Sequence, residues 1–62
     1  MKLSKAKRIM RSFNIAEEVM IGSSDEAVFQ CACDIYESAN PGEFITVADI
    51  AKAAEIVKDA DE

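Results

Sequence analysis

Apolar residues recur along this chain at steps of three and four, in three separate stretches. In the first, Leu3, Ala6, Ile9, Met10, Phe13, Ala16 and Met20 trace one stripe. This is the signature of an amphipathic helix, here predicted over residues 3–20. Lys7, Arg8 and Arg11 fall on the opposite face. The stripe is imperfect, because Ile15 and Val19 turn toward the basic side. Ser12-Phe13-Asn14 is a candidate break, with Asn14 capping a new helix whose N-terminus favours Glu17 and Glu18.

Gly22 suits the left-handed position that closes a helix. Ser23 and Glu26 have the spacing of a capping box, and Asp25 and Glu26 sit where a helix dipole favours acids. The second helix is therefore predicted over residues 24–39. Val28, Ala32, Ile35 and Ala39 form its centre line, flanked by Cys31 on one side and by Phe29, Cys33 and Tyr36 on the other. That apolar arc covers roughly 200°, about twice the stripe of an ordinary surface helix. Glu26, Gln30, Asp34 and Glu37 line the narrow polar face. A helix so apolar is either wedged between two others or shared with a second subunit.

Asn40-Pro41-Gly42-Glu43 is a turn: proline presets φ at the second position, and glycine accepts the positive φ of a type II turn at the third. Beyond a short extended link, Thr46 caps a third helix over residues 46–59, with Asp49 at its N3 position and Ile45 stapled to Ile50. Val47, Ile50, Ala51, Ala54 and Val57 are expected to face inward. Ala48, Ala51, Ala53 and Ala54 are small enough for a neighbouring helix to approach closely. The tail Asp59-Ala60-Asp61-Glu62 opposes the dipole of this helix and is expected to fray. The three capped periodic segments together predict an all-α three-helix bundle formed as one domain over residues 1–62.

Size changes the picture. A chain of 62 residues hides only about 60 % of the surface its unfolded form exposes, so the core is thin. Phe13, Phe29, Tyr36 and Phe44 are the only aromatic residues, leaving Ile, Val, Met and Ala to fill it. Cys31 and Cys33 stand two residues apart in a helix, pointing to nearly opposite sides, which disfavours a bond between them. Two cysteines without a histidine do not make a zinc site. Both read as small buried residues in a reducing, cytoplasmic setting. No apolar run approaches the ~18 residues of a membrane span, and the N-terminus lacks the apolar core of a signal peptide.

Charge is divided unevenly. Residues 1–11 carry Lys2, Lys5, Lys7, Arg8 and Arg11 and no acid, whereas residues 12–62 carry all twelve acids against Lys52 and Lys58. A head of +5 on a body of −10 makes up the net −5. The basic face, Lys2, Lys5, Lys7, Arg8 and Arg11, has the chemistry to follow a phosphate backbone. The acidic body opposes that use, and pairing with acids such as Glu26, Asp34 and Glu37 across a dimer, or with an acidic protein, is the stronger expectation. A row of carboxylates can also imitate the phosphates of DNA, giving an inhibitor of a DNA-binding protein as a further reading.

Catalytic constellations are missing. There is no histidine to serve as a general base, and with only Gly22 and Gly42 no glycine-rich phosphate loop. The acidic pairs on the second helix, Asp34 with Glu37 and Glu26 with Asp34, read as a solvated polar face. The segment from Thr46 to Ala54 resembles the first helix of the helix-turn-helix in LacI-type repressors over nine residues. That family next needs a glycine turn and a second helix rich in Ser and Thr, whereas here Glu55-Ile56-Val57-Lys58 continues the same helix. The expectation is a non-catalytic protein-interaction module without cofactor or metal, a small homodimeric regulator, adaptor or inhibitor of phage or bacterial type. Its candidate interface is Ile15, Val19, Phe29, Cys33 and Tyr36. Nucleic-acid binding through the basic helix is the alternative.

Overall fold

The computed structural model describes residues 1–61 and shows three helices, α1 (Leu3–Val19), α2 (Asp25–Ala39) and α3 (Val47–Ala60), with no strand among the described residues. The all-α three-helix bundle follows the periodicity, and the boundaries fall within a residue of those predicted. Glu62, part of the tail expected to fray, lies outside the described residues.

α1 is the central element. α2 and α3 each pack extensively along it and meet one another only sparsely. The second helix was expected to be either wedged between two others or shared with a second subunit; within this chain it is α1 that lies between two neighbours. The reason lies in its inner arc, where Ala6, Ile9 and Ala16 are fully buried and Ser12 is nearly so. Three of these four side chains are small, so two helices come close to the same backbone at once. The candidate break near residues 12–14 does not form, and α1 is continuous through Ser12. The Ser12 hydroxyl donates to the Arg8 carbonyl oxygen one turn back, at 3.2 Å, so the buried oxygen is satisfied without unwinding the helix. Phe13, next to it, stacks on Phe29 of α2 with ring centroids 5.4 Å apart. The body is accordingly flat, 30 × 28 × 17 Å.

Two similar turns link the helices. In each, the fourth residue's amide returns to the first residue's carbonyl, Ser23 to Met20 and Glu43 to Asn40, both at 3.0 Å. Gly22 and Gly42, with φ of 82° and 86°, supply the positive angle at the third position. Gly22 thus belongs to a turn one residue beyond the helix-closing position expected for it. The N-cap of α2 is Ser24 rather than Ser23: its side chain accepts from the Ala27 amide at 3.3 Å, which leaves Asp25 and Glu26 in the first turn.

α3 begins as expected. Thr46 and Asp49 form a reciprocal capping box, and Ile45 and Ile50 on either side of it are both buried. The face it buries is turned from the expected one. Ile50 and Ala53 are inside, with Ile56 and Val57 against them, whereas Ala51 and Ala54 are exposed and Val47 is half exposed. Because α3 leans mainly on α1 and meets α2 only sparsely, a narrow line suffices and its other small residues remain outside. The helix also runs on through Glu55-Ile56-Val57-Lys58 to Ala60, so no turn follows Ala54 where the helix-turn-helix pattern requires one.

Loss of the α3 cap measures how far this short helix depends on it. Thr46→Ala should lower stability by about 0.5–2 kcal/mol, and each kcal/mol in a domain this small moves the melting temperature by roughly 4–8 °C. Thermal melts followed by circular dichroism check this; an unmoved midpoint would show that the box is not what starts α3.

Candidate interaction cleft

Arg8, Arg11, Ile15 and Val19 recur on α1 at steps of three and four, on the side that neither neighbour covers. Arg8, Arg11 and Val19 are exposed, and Ile15 is 42 % exposed. Where the end of α2 approaches this line, a cleft of about 260 Å³ opens between Arg8, Arg11, Ser12 and Ile15 on one wall and Ile35, Ala39 and Asn40 on the other. Its floor is aliphatic and its rim carries two guanidinium groups. Arg8 and Arg11 of the basic face and the apolar residues Ile15 and Val19, which already fall toward one side in the sequence pattern, are therefore one surface.

Arg8 is held in place. Its Nη1 donates to Asn40 Oδ1 at 2.7 Å and to Glu43 Oε2 at 3.3 Å. Glu43 in turn accepts at Oε1 from the Tyr36 hydroxyl at 3.0 Å, and Asn40 Nδ2 donates to the Tyr36 carbonyl oxygen at 3.0 Å. This network ties α1 to the link between α2 and α3. The ion pair itself is half solvated and contributes on the order of 0–1 kcal/mol; its value here is that it fixes one edge of the cleft. Arg11, by contrast, has no ion-pair partner among the described residues.

The other candidate residues fall in different places. Cys33 and Tyr36, expected at an interface, lie in the monomer's own core, at 6 % and 0 % exposure. Their side of α2 is occupied by the rest of the same chain, and the Tyr36 hydroxyl finds its acceptor in the following turn. Phe29 is half-buried against Phe13. Of the residues expected to form an interface, only Ile15 and Val19 remain well exposed. Lys2 and Lys7 extend into solvent and Lys5 is half-buried. Glu26 and Asp34 are exposed and Glu37 is half-buried, and Asp34 accepts from Gln30 Nε2 one turn away at 3.3 Å. Among the described residues no three side chains of the metal-ligating types converge, and no helix is long and apolar enough to cross a membrane.

The pattern of residues gave no sign of two further features. Ile35 and Ala39 were assigned to a buried centre line, yet they border the cleft because α2 crosses α1 without covering it. Phe44 and Val47 are 77 % and 49 % exposed beside the start of α3. A second hollow of about 210 Å³ lies by the first turn, between Phe13, Met20, Val28 and Phe29. Both hollows fall below the roughly 300 Å³ at which small-molecule sites begin. They are sized for one or two inserted side chains.

Burial acts on both buried titratable groups. It pushes the Cys33 thiol above its ordinary 9.0, helped by the negative charges of Glu37, Asp34 and Asp49. It also raises the Tyr36 phenol above 10.0, helped by the hydrogen bond to Glu43 and its charge, with Arg8 opposing. The fold therefore holds both protonated, and the unfolded chain releases these protons first as pH rises. The stability they carry is complete below 9.0 and 10.0 respectively and is lost as pH climbs through and past those values. Melting temperature measured against pH should decline on the alkaline side. Tyr36→Phe should flatten the part of that decline above the phenol value while lowering neutral-pH stability by about 0.5–1.5 kcal/mol. An unchanged alkaline slope in this variant would contradict the role given to Tyr36.

The chain matches no protein-family model, no curated protein and no solved structure, so the functional reading rests on its own residues.

Proposed function

We propose that this protein is a non-catalytic interaction module that binds another protein surface along the outer face of α1 and the cleft beside it. The observation that carries this reading is the meeting of Arg8, Arg11 and Ile15 with Ile35 and Ala39 in one aliphatic cleft with a basic rim. Exposed aliphatic side chains next to guanidinium groups suit a helix or loop that offers one apolar side chain and a nearby carboxylate. The size of the cleft supports a protein partner over a cofactor, since about 260 Å³ is less than drug-sized ligands occupy. The absence of histidine from the sequence, with acids spread along the solvent face of α2, supports a role without catalysis.

The charge on α1 also favours a competing reading. Lys2, Lys7 and Arg11 are exposed and have no ion-pair partner among the described residues, so a phosphate backbone is the natural rival ligand. The acidic remainder of the chain repels such a ligand and makes the protein partner the preferred one.

A photo-crosslinking residue placed at Ile15, with a control at the exposed Lys52 of α3, separates the two in cells that express the protein. The reading predicts discrete protein adducts from position 15 that disappear when Arg11→Glu is added, and none from position 52. Adducts that nuclease removes would favour nucleic acid instead. Equal yields at the two positions would contradict the assignment of the surface.

A further inference from the structure

The charges of α1 are arranged against its own dipole. A helix favours acids at its N-terminus and bases at its C-terminus. α1 has no acid in its first turn and no base in its last. Lys5, Lys7 and Arg8 instead crowd its N-terminal half, and Glu17 and Glu18 end it. Pairing within the helix does not compensate. Lys7 with Arg11 and Arg8 with Arg11, four and three residues apart, are like-charged neighbours. The nearest opposite pair, Arg11 and Glu17, is separated by about 9 Å of helical rise. Arg8 is satisfied by Asn40 and Glu43, while Arg11, Glu17 and Glu18 have no ion-pair partner among the described residues.

Arg11, Ile15 and Glu18 stand at i, i+4 and i+7, and so share one stripe on the outer face. A stripe that reads basic, apolar, acidic becomes its own complement when reversed. We infer that α1 pairs with α1 of a second copy of this chain, antiparallel about a two-fold axis beside Ile15, with Arg11 of each chain against Glu18 of the other. This rests on the reading of that face as the binding surface and supplies the partner.

Reversal brings the Ile15 side chains of the two chains together near the axis and sets the aliphatic stem of Arg11 beside Val19, whose 68 % exposure then falls. It also carries the basic half of each helix toward the negative C-terminal end of the other, which corrects the charge arrangement that each helix bears alone. A parallel arrangement would oppose Arg11 to Arg11 and Glu18 to Glu18, so the orientation is fixed by charge. An interface of this kind is isologous, and the reciprocal contacts are made twice. A standard interface takes about 800 Å² from each partner, roughly a fifth of this chain's 4244 Å². One helix face with the lip of the cleft offers less, as weak, reversible associations do.

Sedimentation equilibrium on the whole chain from ~10 μM to ~1 mM tests this. The wild type should show a reversible monomer–dimer equilibrium. Arg11→Glu and Glu18→Arg should each weaken it at least about tenfold, and the double variant, which restores the reciprocal pairs in reverse, should recover most of the loss. Glu18→Arg places a cation at the C-terminal end of α1, where the helix favours it, so weaker association in that variant cannot be attributed to a failing fold. A wild type that remains monomeric at ~1 mM overturns the inference, as does a dimer indifferent to either reversal or a double variant no better than the singles. Adducts from position 15 to a different protein, in a chain that never dimerises, would retain the interaction module and remove only the self-association.

Discussion

Two helices rest on one across an arc in which three of the four buried side chains are small, with Ile9 the exception. Ala6 and Ala16 are fully buried on α1, and Ser12 beside them spends its hydroxyl on its own backbone. Larger residues at these positions would hold α2 and α3 away from the shared axis, and overpacking of this kind destabilises by about 1–3 kcal/mol. From that arc follows the rest: α2 and α3 need little contact with each other, the body is flat, and the back of α1 stays uncovered. A ring of three mutually packed helices would have left no helix in the middle and no basic helix lying open along its length.

Local chemistry made most of the fold legible. Thr46 with Asp49, Gly42 after Pro41, and the three- and four-residue steps of the apolar residues each depend on neighbours within one turn, and this cap, this turn and the helix spans appear where they were expected. The arrangement of the helices depends on longer-range packing, which periodicity does not encode. The apolar breadth of α2 suggested a helix wedged between two others or shared with a second subunit; Tyr36 and Cys33 fill the core of this chain, and Ala39 ends exposed at a cleft. In α3 the alanines made several faces equally apolar, so Ala53 could replace Ala51 and Ala54 on the inside without any visible signal. Ser23 and Ser24 are both competent caps, and only the backbone distinguishes them.

The candidate site was visible in pieces. Ile15 and Val19 stood out as apolar residues on a basic face, and Arg8 and Arg11 as part of a charged head. Missing was the geometry that joins them: the close of α2 bringing Ile35 and Ala39 alongside, and the turn that supplies Asn40 and Glu43 to hold Arg8. The network from Tyr36 through Glu43 to Arg8 crosses 35 residues of sequence, and no spacing rule reaches that far. The inner side of the same central helix is given to the core, and its outer side keeps charges without ion-pair partners among the described residues.

Native-state hydrogen exchange tests the central place of α1 most directly, because it reads the stability of each helix separately. If α2 and α3 both lean on α1 and barely on each other, either can open while the other stays closed. The amides from Ile9 to Ala16 should then be the last to exchange, opening only with global unfolding, while those of α2 and α3 exchange earlier through separate partial openings. Slowest exchange in α2, with α1 opening ahead of it, would contradict the account.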